Sequence, residues 1–186
     1  DDLCLINGAW TDIPNHPQAL VKLHTGNFQF VRPSMGAWTL YGMGTENQDL
    51  PGFITMKPPA RLGGAQNYGS AFLPAMFQGT ALGMNGAVGI GNIENKSVST
   101  PQQRKQIDLL QKMNKGLASR QPQNSEIEGI IESYELAFRM QSAVPRVMDI
   151  SEETQKTQKM YGIGSGGRGD EFGRMCLMAR RFAESG

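Results

Sequence analysis

The chain has 186 residues, 39% apolar and 19% charged, with a formal net charge of +1, enough for one domain that buries roughly 70% of its unfolded surface. The near-neutral balance offers no basic stripe for nucleic acid. No apolar run approaches the ~18 residues of a membrane span, so neither nucleic acid nor a bilayer crossing is expected as a partner.

Residues 1–98 read as short apolar bursts between glycines and prolines. An apolar run at 3–6 has the length of a buried strand. A loop with Trp10 and Thr11 leads to a helix over 15–24. Asn15 is its N-cap, Pro17 lies in the first turn where its missing N–H costs least, and Thr25 with Gly26 forms the stop. Ala19, Leu20 and Leu23 are expected to face inward. Ser34 caps a second short helix over 35–43, whose bulk is Trp38, Leu40 and Tyr41. Pro51 and Gly52 turn the chain into a strand at 53–56, ended by Pro58 and Pro59. Residues 61–95 hold eight glycines and read either as a surface loop or as backbone passing close to another group. Neither this stretch nor the glycine-rich linker at 162–169 has the pattern of a phosphate loop.

From residue 99 onward helical signals dominate. Thr100, Pro101 and Gln103 have the spacing of a capped start, followed by Ile107, Leu110 and Met113 on one face, with Leu109 beside it, as far as Gly116. Ser125 and Glu128 form a second capping box. The helix it opens carries Ile127, Ile130, Ile131, Tyr134, Phe138 and Met140, and Pro145 is expected to stop it. A third helix starts at Ser151 and ends at Tyr161 and Gly162. Asp170 leads into a last one, with Phe172, Cys176, Ala179 and Phe182 at helical spacing. Glu135 and Arg139, four apart, are expected to pair. Cys4 and Cys176 lie in apolar stretches. They are read as buried thiols, with a mutual disulfide as the other option, since no CxxC spacing marks a metal site.

His16 and His24 are the two histidines. Eight helical residues separate them by about 12 Å, too far to share one metal. His24 reads as a surface residue near a helix end. His16 stands at a helix start, and with Thr11 and Asn15 it forms a candidate catalytic cluster: a hydroxyl, an amide and an imidazole near one anion position. Plain capping is the competing role. Arg32, before the second helix, and Asn47, on a polar loop, are candidate substrate-binding residues.

The order Thr11, Asn15, His16, Thr25-Gly26, Arg32-Pro-Ser-Met-Gly-Ala-Trp38, Tyr41-Gly-Met-Gly-Thr-Glu-Asn47 and Leu50-Pro-Gly-Phe53 resembles bacterial exported proteins of the domain family of unknown function numbered 1501. The likeness continues through Gly69-Ser-Ala-Phe-Leu-Pro-Ala75, Gln78-Gly79, Ser133-Tyr-Glu-Leu-Ala-Phe-Arg-Met-Gln141, Tyr161-Gly162, Phe172-Gly-Arg174 and Leu177-Met-Ala-Arg-Arg181. That family is similar to the alkaline phosphatase and sulfatase superfamily, and its members are common in planctomycetes and related marine bacteria. The resemblance implies an α/β fold: part of an alkaline phosphatase-like α/β/α sandwich, helix-rich in its second half, with long glycine-rich loops. Residues 1–186 would be the central part of one such domain, strand- and loop-rich over 1–98 and helical over 99–186.

The function so implied is metal-dependent hydrolysis of sulfate or phosphate esters on small molecules or polysaccharides. A divalent metal such as Ca, Zn or Mg would be held mostly by ligands outside this stretch. Export to the periplasm or cell envelope follows from the same resemblance. No Cys-x-Pro-x-Arg occurs, so a formylglycine nucleophile is not expected. The 186 residues alone are expected to be inactive. The alternative is a non-catalytic, carbohydrate-binding or structural relative with Trp10, Trp38, Tyr41 and Tyr68 as platform rings.

Overall fold

The structure, a computed structural model, describes residues 4–83, 93, 97–120 and 125–186. Six α-helices are described there: α1 His16–Thr25, α2 Met35–Met43, α3 Thr100–Ala118, α4 Ser125–Met148, α5 Gln155–Met160 and α6 Arg168–Glu184. Two strands, β1 Ile54–Met56 and β2 Thr80–Leu82, pair in parallel with Ile54 opposite Thr80 and Met56 opposite Leu82. The crossover between them contains the 3-10 turns Gly64–Asn67 and Ala75–Phe77.

The architecture corrects the expected α/β/α sandwich. A doubly covered parallel sheet needs several strands buried on both faces. The described residues supply one pair of three-residue strands, and most strand residues are only half-buried. The local reason is punctuation. Pro58 and Pro59 cannot continue a ladder as donors, and Gly83 at φ 73 turns the chain after β2. The apolar run expected as a first strand is unpaired at Cys4, Leu5 and Ile6, with Leu5 77% and Ile6 76% exposed; Leu3 lies outside the described residues.

The main core forms where α4 and α6 cover the strand pair. Leu50, Leu82, Met140, Val144, Val147 and Phe182 are buried together, with Ile54, Met56 and Leu136 packed against them. Arg181 fixes this corner by donating from Nε to the Val147 carbonyl at 2.8 Å and from a terminal nitrogen to Glu153 at 2.8 Å. α6 approaches α5 closely because Gly173 has no side chain: a Cβ there would overlap the Tyr161 carbonyl oxygen. α3 packs along α4, joined by Gln111 donating to the Ile131 carbonyl at 2.8 Å.

Several local expectations meet the structure directly. Asn15 caps α1, Gly26 ends it at φ 75, and Ser34 caps α2. Others shift. α3 is capped by Ser99, one residue before Thr100, and Gln102 accepts from both the Ser99 N–H and hydroxyl. Pro145 does not stop α4, which runs to Met148; it removes one N–H near the end, while Val144 and Val147 on either side are held in the core. Thr154, not Ser151, caps α5. The side-chain contacts of the Ser125 capping box lie outside the described residues, as do Gly86, Gly89 and Gly91.

The buried faces differ from those read by spacing. α1 buries Val21 and leaves Leu23 67% exposed. α3 buries Ile107 and Gln111 while Leu109, Leu110 and Met113 are exposed. On α4, Ile130 and Tyr134 are exposed. α6 buries Leu177, Met178 and Phe182 and leaves Phe172 exposed. Both cysteines are free, Cys176 half-buried and Cys4 exposed, so neither a buried Cys4 nor the disulfide is found.

Candidate functional site

The start of α1 places Thr11, Asn15 and His16 on one short stretch, and each has a traceable local reason. The Thr11 hydroxyl accepts from the Ile13 N–H at 3.2 Å, a small turn that buries Ile13. Asn15 is extended at φ −87, and its Oδ1 accepts from the Gln18 N–H at 3.3 Å. Pro17 has no N–H and that of Gln18 is capped. His16 therefore keeps the first-turn N–H without a partner among the described residues. Lys22, on the next turn but one, donates to Asp12 at 2.7 Å and ties the loop to the helix. That bond to Lys22 holds the Asp12 carboxyl below its ordinary range.

Between loop and helix lies an open groove of about 610 Å³, lined by Trp10, Thr11, Ile13, His16, Leu20 and Lys22 among others. Trp10 is 84% exposed, so its indole is available rather than packed. Thr11 and His16 thus come together at one groove. Asn15 is at the same helix start, with its amide oxygen occupied in the cap. Lys22 is the groove residue that local motifs miss: its pairing with Asp12 depends on how the loop folds back, which no spacing rule encodes.

Arg32 and Asn47 lie outside this groove. Arg32 is exposed before α2 and has no ion pair among the described residues. Asn47 organises the turn after α2. Its Oδ1 accepts from the Asp49 and Leu50 N–H groups at 2.8 and 3.1 Å, and its Nδ2 donates to the Ser185 carbonyl at 2.6 Å. It lines a second cavity, of about 490 Å³, under α4.

The expected Glu135–Arg139 pair is replaced by two others. Arg104 grips both Glu135 oxygens at 2.8 Å, and Arg139 Nε approaches Asp49 at 3.6 Å. The Arg104 hydrogen bonds, with a second donor in Gln111, hold the Glu135 carboxyl down to about 2 against the opposing effect of burial.

The groove offers a divalent metal few donors. The Thr11 oxygen and the Asn15 oxygen already accept backbone N–H groups, the imidazole is single, and Asp12 is held by Lys22. Among the described residues no group of three or more His, Cys, Asp or Glu side chains is arranged to hold a metal ion. Among them, too, no helix is long and apolar enough to cross a membrane. Its lining combines an indole and apolar side chains with an imidazole and an ammonium, a set of groups that suits ligand binding.

Neither a curated protein nor a solved structure matches the chain. The family described as Protein of unknown function (DUF1501) matches it over residues 1–186, and the chain belongs to that family.

Proposed function

We propose that the chain serves the hydrolysis of sulfate or phosphate esters and contributes the groove that recognises the ester, in a protein of sulfatase-like or alkaline phosphatase-like chemistry exported to the periplasm or cell envelope. One observation carries this reading: Thr11, His16, Lys22 and the exposed Trp10 line a single groove. The organic body of an aryl or sugar ester would lie on the indole and the apolar floor. Its anionic group would meet the His16 N–H, the imidazole and Lys22 once Asp12 yields. In this reading any divalent metal is held by donors other than Thr11, Asn15 and His16.

The test follows 4-nitrophenyl sulfate and 4-nitrophenyl phosphate binding to the 186-residue chain by fluorescence, in a Trp38→Phe background that isolates Trp10. Saturable quenching that weakens in His16→Ala and Lys22→Gln is expected. Quenching equal with 4-nitrophenol, or indifferent to both substitutions, would remove the ester from the groove. Turnover is then measured on the full natural polypeptide with Ca, Zn or Mg; ester binding without turnover there would overturn the hydrolase.

The exposure of Trp10 also favours a second reading, a carbohydrate-binding role without catalysis. Trp38 and Tyr41 fit it less well, because they meet edge-to-face at 78° and so do not form one flat platform. Sulfated polysaccharide that binds saturably while releasing no sulfate from the full polypeptide would select this alternative.

A further inference from the structure

The second cavity is built differently and is absorbed by neither reading. Its wall is core-facing: Leu40 and Leu50 are buried, and Leu136 packs against the main core. Arg139 also lines it, and its guanidinium carries five donors. None makes a hydrogen bond among the described residues, and Nε is buried without a hydrogen-bond partner. Its nearest carboxylate, Asp49, stays at 3.6 Å and is 65% exposed. A buried unsatisfied donor is costly in a native protein and calls for a partner.

Three carboxylates bear on the charge of an incoming group. Glu135 is already paired with Arg104, which Asp108 shares, and accepts a further hydrogen bond from Gln111. Asp49 is the weakly held partner of Arg139 itself. Glu132, which also lines the cavity, is exposed and has no ion pair among the described residues. Arg139 thus shares the cavity lining with the apolar wall, with Glu132 and the exposed Asp49 as opposing charges.

We propose that this cavity binds a small amphipathic anion, an alkyl or aryl carboxylate, whose head group takes the open donors of Arg139 and whose body lies along Leu40, Leu50 and Leu136. A planar guanidinium matches a carboxylate with two parallel hydrogen bonds, and an apolar pocket with few polar groups is the usual form of a small-ligand site. The site stands apart from the Trp10 groove, so failure of either proposal leaves the other in place.

The experiment titrates the 186-residue chain with sodium octanoate, read by calorimetry and by methyl NMR shifts. One saturable site is expected, with shifts at the Leu40, Leu50 and Leu136 methyls. Arg139→Gln should weaken octanoate at least ~10-fold, while 1-octanol, which lacks the charge, should bind the wild type and that variant alike. Glu132→Gln should tighten octanoate a few-fold by removing the like charge. Gln48→Trp, which fills the cavity from an exposed wall position, should abolish binding. No saturable binding, methyl shifts elsewhere, or an Arg139→Gln variant that binds octanoate as well as the wild type would overturn the proposal. Should Arg139→Gln fail to fold, the wild type decides: octanoate binding no tighter than octanol overturns it, and tighter octanoate binding lost in Gln48→Trp upholds it.

Discussion

The two cavities are of similar size, about 610 and 490 Å³, yet their walls are made in opposite ways. The α1 groove is built from a loop and a ten-residue helix whose polar groups are mostly committed locally: Asn15 to the cap, Thr11 to the Ile13 turn, Lys22 to Asp12. The cavity under α4 is built from residues far apart in the chain, and the guanidinium of its cation, Arg139, makes no hydrogen bond among the described residues. Motif-rich sequence and open binding capacity are therefore not the same thing. Residues that announce a helix start are often occupied in making it.

Substitutions can break or sharpen that contrast. The largest effect is expected away from the groove, on α6: Leu177, fully buried, should cost about 2–5 kcal/mol when replaced by Ala. Leu23→Ala in the α1 groove should cost no more than about 0.5 kcal/mol, because that side chain is 67% exposed. Urea unfolding of both variants checks this, and equal losses would mean that the groove is as firmly packed as the core.

Next comes acid. Because Glu135 titrates at about 2 instead of 4.5, its stabilising contribution is present above pH 4.5 and is lost as the pH falls from 4.5 towards 2. Its size is on the order of 2 kcal/mol after allowing for partial exposure. Unfolding measured from pH 6 to pH 2 should therefore show a steeper decline in the wild type than in Glu135→Gln. Parallel curves would show that the Arg104 pair adds nothing.

A smaller effect separates capping from chemistry at Asn15. Asn15→Ala should cost about 1 kcal/mol of stability, and Asn15→Ser should restore most of it. Ester binding that returns with Asn15→Ser would assign Asn15 to the cap alone, whereas binding lost in both variants would give it a direct role in the groove. The smallest change is expected from Asp12→Asn, which releases Lys22 at an exposed position. Melting temperature should hardly move, while 4-nitrophenyl sulfate binding should tighten slightly; weaker binding would place Asp12 on the ligand side.

Much of the local structure was legible. The cap at Asn15, the stop at Gly26 and the cap at Ser34 each depend on one or two neighbouring residues, and all three are found as read. The site was legible only in part. Thr11 and His16 do share a groove, but Lys22 joins them through a bond to Asp12 across ten residues. The Glu135 partner was misread for the same reason. Arg139 offers the right spacing on one helix, yet α3 brings Arg104 from 31 residues away with two hydrogen bonds.

The sequence by itself determined where α1 and α2 begin, because caps, prolines and glycines act on backbone within a turn of themselves. It also determined that Pro58 and Pro59 would cut β1 short. Only the tertiary structure decided which helix faces are buried. Several helices carry apolar residues around more than one side, as α3 does with the buried Ile107 nearly opposite the exposed Leu109. Which side meets a neighbour is set by packing partners distant in the chain. It likewise decided that the strands of the described residues stay a single short pair instead of extending into a sandwich. A sheet grows only where further strands arrive to take its free N–H and C=O groups, and that supply is not written in any one apolar run.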